Sequence, residues 1–214
     1  MRFGQGQEHV LFFFARHGTT DLNKQNIFRG QEDVDLDKQG VREAMQLGHW
    51  MKGLEIGMVF SSDRRRSIHT AQILSSQAGL DKPMPIKALA PWDIGYLTGK
   101  PKKEHVQEIQ YFVENPSAKP RGGESLTSFR DRIKPILAQA IELRQMTGAP
   151  PCIVGHSSVL YEIGQIFEND HNAALVKPAG LAAVFIKDGV MHATAIFKPG
   201  EDDTSFAHTH TTPS

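Results

Sequence analysis

The chain has 214 residues, of which 39% are hydrophobic and 22% charged, enough apolar material for one soluble domain with a substantial core. Lys plus Arg and Asp plus Glu number 24 each, so no overall field draws the protein to nucleic acid or an anionic membrane, and any anion binding must come from local clusters. The single cysteine, Cys152, excludes an internal disulfide framework and sits in an apolar stretch as a small buried hydrophobe.

Residues 10–15 form the first apolar run. It is too short to span a membrane, lacks a basic leader and a small-residue cleavage site, and reads as a buried strand, with the cytoplasm as default location. Residues 37–52 carry Val41, Ala44, Met45, Gly48 and Met51 at helical spacing, the mark of one buried face. A short strand at 57–60 and a helix over 63–77 follow, with Gly79 just past its end. Residues 85–89 read as extended, 102–114 as a helix and 115–123 as a Pro/Gly-rich loop. A long helical pattern over 124–146 contains Pro135, which should kink or interrupt it. A continuous apolar strand at 152–155 leads into a helix over 159–167. Segments 182–186 and 191–197 flank Asp188-Gly189, a hairpin signal whose edge strand could pair two subunits as a homodimer. Residues 1–198 are read as one domain and 199–214 as a polar, mobile tail.

Strands alternating with helices predict a three-layer α/β/α fold with a mostly parallel central sheet, in which ligands bind at the carboxyl ends of strands. Two strands end directly in histidine, at Arg16-His17-Gly18 and at Gly155-His156-Ser157. Arg66 opens the helix after the second strand. Two arginines and two histidines therefore share one sheet edge. Arginine's planar fork suits a phosphate dianion, and a neutral imidazole can attack phosphorus while cations stabilise the equatorial oxygens. Each piece has a bland reading alone: a satisfied histidine, or a solvated face for Arg64-Arg65-Arg66.

Four segments together carry a resemblance. They are Arg16-His17-Gly18-Thr19-Thr20-Asp21-Leu22-Asn23 continuing through Phe28-Arg29-Gly30, the run from Ser61 to Ala71, Gly122-Gly123-Glu124-Ser125, and Ile153-Val154-Gly155-His156-Ser157. In this order over about residues 10–165, the chain resembles the phosphoglycerate mutase-like branch of the histidine phosphatase superfamily. The resemblance implies that His17 is the phosphorylated nucleophile and that Arg16, Arg66 and His156 form the phosphate pocket. It implies that Asn23, Arg29, Gly30 and Ser157 face the substrate, with no metal or cofactor required and a small phosphorylated molecule as partner. It points first to a phosphatase. The alternatives are a phosphoglycerate mutase, a phosphohistidine-protein phosphatase and a regulatory module that binds phosphate without turnover. Only about two dozen residues separate Gly99 from Gly122, little room for the insertion that helps mutases enclose substrate.

One position departs from the pattern. Aligning Gly95 and Gly99 puts Pro91 where the family carries its proton-donating glutamate. Asp93, two residues on and on the same side of an extended chain, is expected to act as general acid with Trp92 and Tyr96 as an apolar wall. Its competing role is to initiate the turn toward Gly95. Residues 33–44 lack the glycine and terminal glutamate of a calcium loop, residues 95–101 lack the spacing of a phosphate-binding loop, and His208 and His210 match no zinc spacing.

Overall fold

A computed structural model describes residues 9–167, 176–188 and 190–200. Six strands form one sheet in the order β3-β2-β4-β1-β5-β6. They are β1 His9–Arg16, β2 Val59–Ser62, β3 Met84–Ile86, β4 Cys152–Gly155, β5 Leu181–Lys187 and β6 Val190–Phe197. β1, β4, β2 and β3 run parallel, and β5 runs antiparallel to both of its neighbours, β1 and β6. The helices are α1 Asp21–Lys24, α2 Lys38–Met51, α3 Arg65–Ala78, α4 Lys102–Glu114, α5 Leu126–Thr147 and α6 Ser157–Phe167.

Strand alternation in β1 divides the core. Phe12 and Phe14 pack with Phe129, Ile133 and Leu137 of α5 and with Val159, Leu160 and Ile163 of α6. Phe13 and Ala15 pack on the opposite face with Leu47 and Met51 of α2 and Ala71 and Leu74 of α3. The three-layer α/β/α arrangement with a mostly parallel sheet is therefore as expected. Each fully buried Phe or Leu contributes roughly 1.5–3 kcal/mol through burial. Cys152 is fully buried and burial pushes its thiol up to about 12, in keeping with a packing role.

Two expectations change. The extended segment is shorter than 85–89: β3 stops at Ile86 and a 3₁₀ turn, Lys87–Leu89, follows. Pro135 does not interrupt α5, which runs unbroken through it. Pro135 and Asp131 are exposed, so water can take the Asp131 carbonyl that the missing N–H leaves free. The turn residue Gly189, the tail residues 201–214 and with them His208 and His210 lie outside the described residues. Among the described residues no helix is long and apolar enough to cross a membrane.

The loop after β1 is held by backbone packed on backbone. Asp37 caps α2 by accepting Gly40 N–H at 2.7 Å, and its own N–H donates to Thr19 O at 3.0 Å. A Cβ on Gly40 would stand 2.1 Å from Thr19 O, and one on Gly18 would stand 2.5 Å from Gly40 O. Neither atom is a flexible side-chain end. Gly40→Ala is accordingly expected to lose about 1–3 kcal/mol of stability in urea unfolding. A loss below about 0.5 kcal/mol, the range of ordinary surface changes, would contradict this close approach.

Candidate active site

Two neighbouring strand ends set the site. β1 and β4 pair in register with Arg16 opposite Gly155, so His17 and His156 leave the sheet together at its carboxyl edge. His17 N–H donates to Gly155 O at 2.9 Å, and its carbonyl accepts from Ala179 N–H at 3.1 Å. Their rings lie 5.3 Å apart between centroids, and the two residues are only 1% and 3% exposed.

His17 Nδ1 lies 2.7 Å from Gly18 O. A carbonyl only accepts, so Nδ1 carries the proton and Nε2 of the neutral ring keeps its lone pair. His156 Nε2 lies 2.9 Å from Ser62 Oγ at the end of β2 and 3.4 Å from Ser67 Oγ. One threonine links the pieces: Thr70 Oγ1 donates to Arg66 O at 2.7 Å and accepts Gly18 N–H at 3.0 Å. Glu43 of α2 accepts both Thr19 N–H and Thr19 Oγ1, fixing the next residue of the loop.

Three guanidinium groups surround this pair. Arg66 donates to Glu32 O at 2.5 Å and Gly30 O at 3.4 Å. Arg29 donates to Asn23 Oδ1 at 2.8 Å and Thr20 Oγ1 at 3.3 Å, and Arg16 donates to Val176 O at 3.0 Å. None of the three pairs with a carboxylate among the described residues. The buried Nε–H groups of Arg16 and Arg66 have no acceptor there. Burial first, then Arg66, Arg29 and Arg16, hold His17 well below 6.5 despite the Gly18 bond. Burial, Arg66 and His17 do the same to His156. Burial, Arg66 and Arg16 push Arg29 down to about 9, still cationic at neutral pH.

A cavity of about 160 Å³ opens here. Of the residues expected from sequence, His17, Arg29, Gly30, Arg66 and His156 line it. Arg16 acts on both imidazoles by charge, while Asn23 braces Arg29 and Ser157 begins α6 beside the lining residue Ser158. The remaining walls are Ile27, Phe28, Pro91, Trp92, Ile94, Lys102, Ile109 and Ser158. Lys102 went unnoticed in the sequence because pairing between two loops places it. Phe28 N–H donates to Lys100 O, Gly99 N–H to Phe28 O, and Lys102 N–H to Asn26 O. Among the described residues no group of three or more His, Cys, Asp or Glu is arranged to hold a metal ion.

Asp93 is the correction. It does not line the cavity; its Oδ1 accepts Gly95 N–H at 3.0 Å, which is the turn-initiating role. The extended-chain reasoning fails because Ile94 (φ −90°, ψ 9°) and the Gly95–Leu97 3₁₀ turn bend the chain there. The Gly122-Gly123-Glu124 loop clamps that bend: Glu124 Oε1 accepts Asp93 N–H, Glu124 N–H donates to Asp93 O, and Trp92 Nε1–H donates to Glu124 O. Arg132 grips the Glu124 carboxylate and the carbonyls of Ala88, Ala90 and Pro91. Ser125 caps α5 by accepting Ser128 N–H, as its place before that helix suggests. Tyr96 turns outward to donate to Glu108 rather than walling the site.

The low proton affinity of the two histidines makes stability depend on pH. Below 6.5 the unfolded chain binds protons on His17 and His156 that the folded chain refuses, so stability falls as pH drops through that value. Comparing urea midpoints at about pH 7.5 and pH 5.5, at two points flanking the ordinary histidine value, checks it. The double variant His17→Asn, His156→Asn should show a flatter dependence than the parent; equal slopes would refute the buried, neutral pair.

Residues 12–177 match the model of the histidine phosphatase superfamily, branch 1. A 2,3-bisphosphoglycerate-dependent phosphoglycerate mutase of Methylorubrum extorquens (strain PA1) is 28% identical over 167 residues, 74% of this chain and 79% of that one. Among solved structures, a phosphoglycerate mutase from Bacillus anthracis str. Sterne superposes with a TM-score of 0.73 at 21% identity, covering 86% of this chain and 91% of the other. A mycobacterial glucosyl-3-phosphoglycerate phosphatase complexed with VO3 superposes at 0.71 with 19% identity, covering 87% and 98%. These two share the fold. The match to the family model extends from within β1 to just short of β5, taking in both histidines and Arg16, Arg29 and Arg66, and the chain belongs to the histidine phosphatase superfamily.

Proposed function

We propose that the protein hydrolyses phosphate monoesters of small metabolites through a phosphohistidine on His17. The observation that carries this reading is the Nδ1–Gly18 hydrogen bond, which leaves Nε2 unprotonated beside the guanidinium groups of Arg16, Arg29 and Arg66. Nε2 attacks phosphorus and the alcohol departs; water then attacks the phosphohistidine and releases orthophosphate. The Arg16 and Arg66 Nε–H groups and the Arg29 fork are donors suited to the equatorial oxygens. The walls of Ile27, Phe28, Trp92, Ile94 and Ile109 favour a compact apolar or aromatic organic part.

A second reading, phosphoglycerate mutase, is favoured by the name of the Methylorubrum relative. Against it stands the short connection between Gly99 and Gly122, which holds only α4 and one loop. Incubation with p-nitrophenyl phosphate in EDTA decides. We expect turnover, an acid-labile phosphoenzyme, and a loss on the order of 10³-fold or more in His17→Ala. Turnover that survives His17→Ala, or that vanishes with EDTA, would sink the phosphatase reading. Interconversion of phosphoglycerate isomers would establish the mutase instead.

A further inference from the structure

An alkoxide leaves phosphorus slowly unless it is protonated as the bond breaks. Among the described residues no carboxylic acid lines the cavity. Asp93 is spent on the Gly95 turn and Glu124 on Arg132 and the Asp93 amide. Both imidazoles are neutral near pH 7, and a neutral imidazole is a poor acid. Among the described residues of the wall, Lys102 is the titratable group left besides the arginines, whose protons are held too tightly to transfer.

Its placement is built rather than incidental. Pro101 pairs with Ile27 as an isolated bridge, and Lys102 N–H donates to Asn26 O at 3.1 Å, so the start of α4 is tied to the loop that carries Arg29. The side chain is half-buried, and among the described residues no hydrogen bond or ion pair engages its ammonium. Burial, then Arg29 and Arg16, lower its hold on the proton, which is what an acid working near neutrality requires.

We propose that Lys102 is the general acid that protonates the leaving-group oxygen, an assignment that rests on the phosphohistidine reading above. As the His17 Nε2–P bond forms and the P–O bond breaks, an Nζ proton passes to the departing oxygen and leaves a neutral amine. In the second half the amine takes a proton from the water whose oxygen attacks phosphorus, which restores the ammonium and frees His17. The sum is ester plus water giving alcohol plus orthophosphate.

The test compares p-nitrophenyl phosphate, whose leaving group needs no proton, with 2-phenylethyl phosphate, whose leaving group does. Lys102→Arg keeps the charge but not a transferable proton; Lys102→Met removes both. In both variants kcat on the alkyl ester should fall on the order of 10²-fold or more, and on the aryl ester by less than about tenfold. The alkaline limb of the alkyl-ester pH profile, lying below the ordinary lysine range, should disappear in Lys102→Arg. Asp93→Asn should leave the alkyl-to-aryl ratio unchanged. A phosphoenzyme trapped from p-nitrophenyl phosphate in the Lys102 variants shows that they fold with a working His17. Equal losses on both esters, a rise in KM alone, or a selective loss in Asp93→Asn instead would overturn the assignment while leaving the phosphohistidine reading intact. No turnover and no phosphoenzyme in the unmodified protein would overturn both.

Discussion

Three guanidinium groups that form no ion pair among the described residues, set around a neutral, buried imidazole, are the constraint on which this structure turns. Arg16, Arg29 and Arg66 repel one another and lower the proton affinity of His17, and burial removes the water that would screen them. Such a cluster costs stability by itself. A bound dianion offsets that cost by supplying the charge and the acceptors that the protein withholds, so the folding penalty and the affinity for phosphate are two sides of one arrangement.

The scaffold holds the cluster open through backbone contacts rather than through ion pairs. Arg66 and Arg16 are gripped by carbonyls of Glu32, Gly30 and Val176, which orient the guanidinium groups without neutralising them. The Gly18–Gly40 contact and the Thr70 hydroxyl fix the loop that presents His17. Carboxylates sit one step back: Glu43 on Thr19, Asp33 and Asp35 on Arg65, Glu124 on Arg132. Each braces a loop and leaves the cavity wall cationic and apolar.

Much of this was legible in the sequence where local rules act. The apolar run at 10–15 marked β1 as a buried strand, and the two strand-terminal histidines pointed to one sheet edge, where the structure places them. Local rules misled where loops meet. Asp93 looked poised for the site because two-residue alternation assumes extended chain, and a turn clamped by Glu124, thirty-one residues away in sequence, breaks that assumption. Lys102 had no local signal at all, since only the pairing of residues 26–28 with 99–102 brings it to the cavity. Pro135 failed to break α5 because its exposed position lets solvent take the freed carbonyl, a matter of burial rather than propensity.

The most direct test of the central claim is the unfolding midpoint measured against orthovanadate and orthophosphate. A cluster built for a phosphorus centre in line with His17 Nε2 predicts that both anions stabilise the fold, by about 2.7 kcal/mol at a hundred times Kd. It also predicts that vanadate, which can mimic the five-coordinate state, binds more tightly than phosphate, and that His17→Ala abolishes the difference. Absence of stabilisation by either anion would contradict the account.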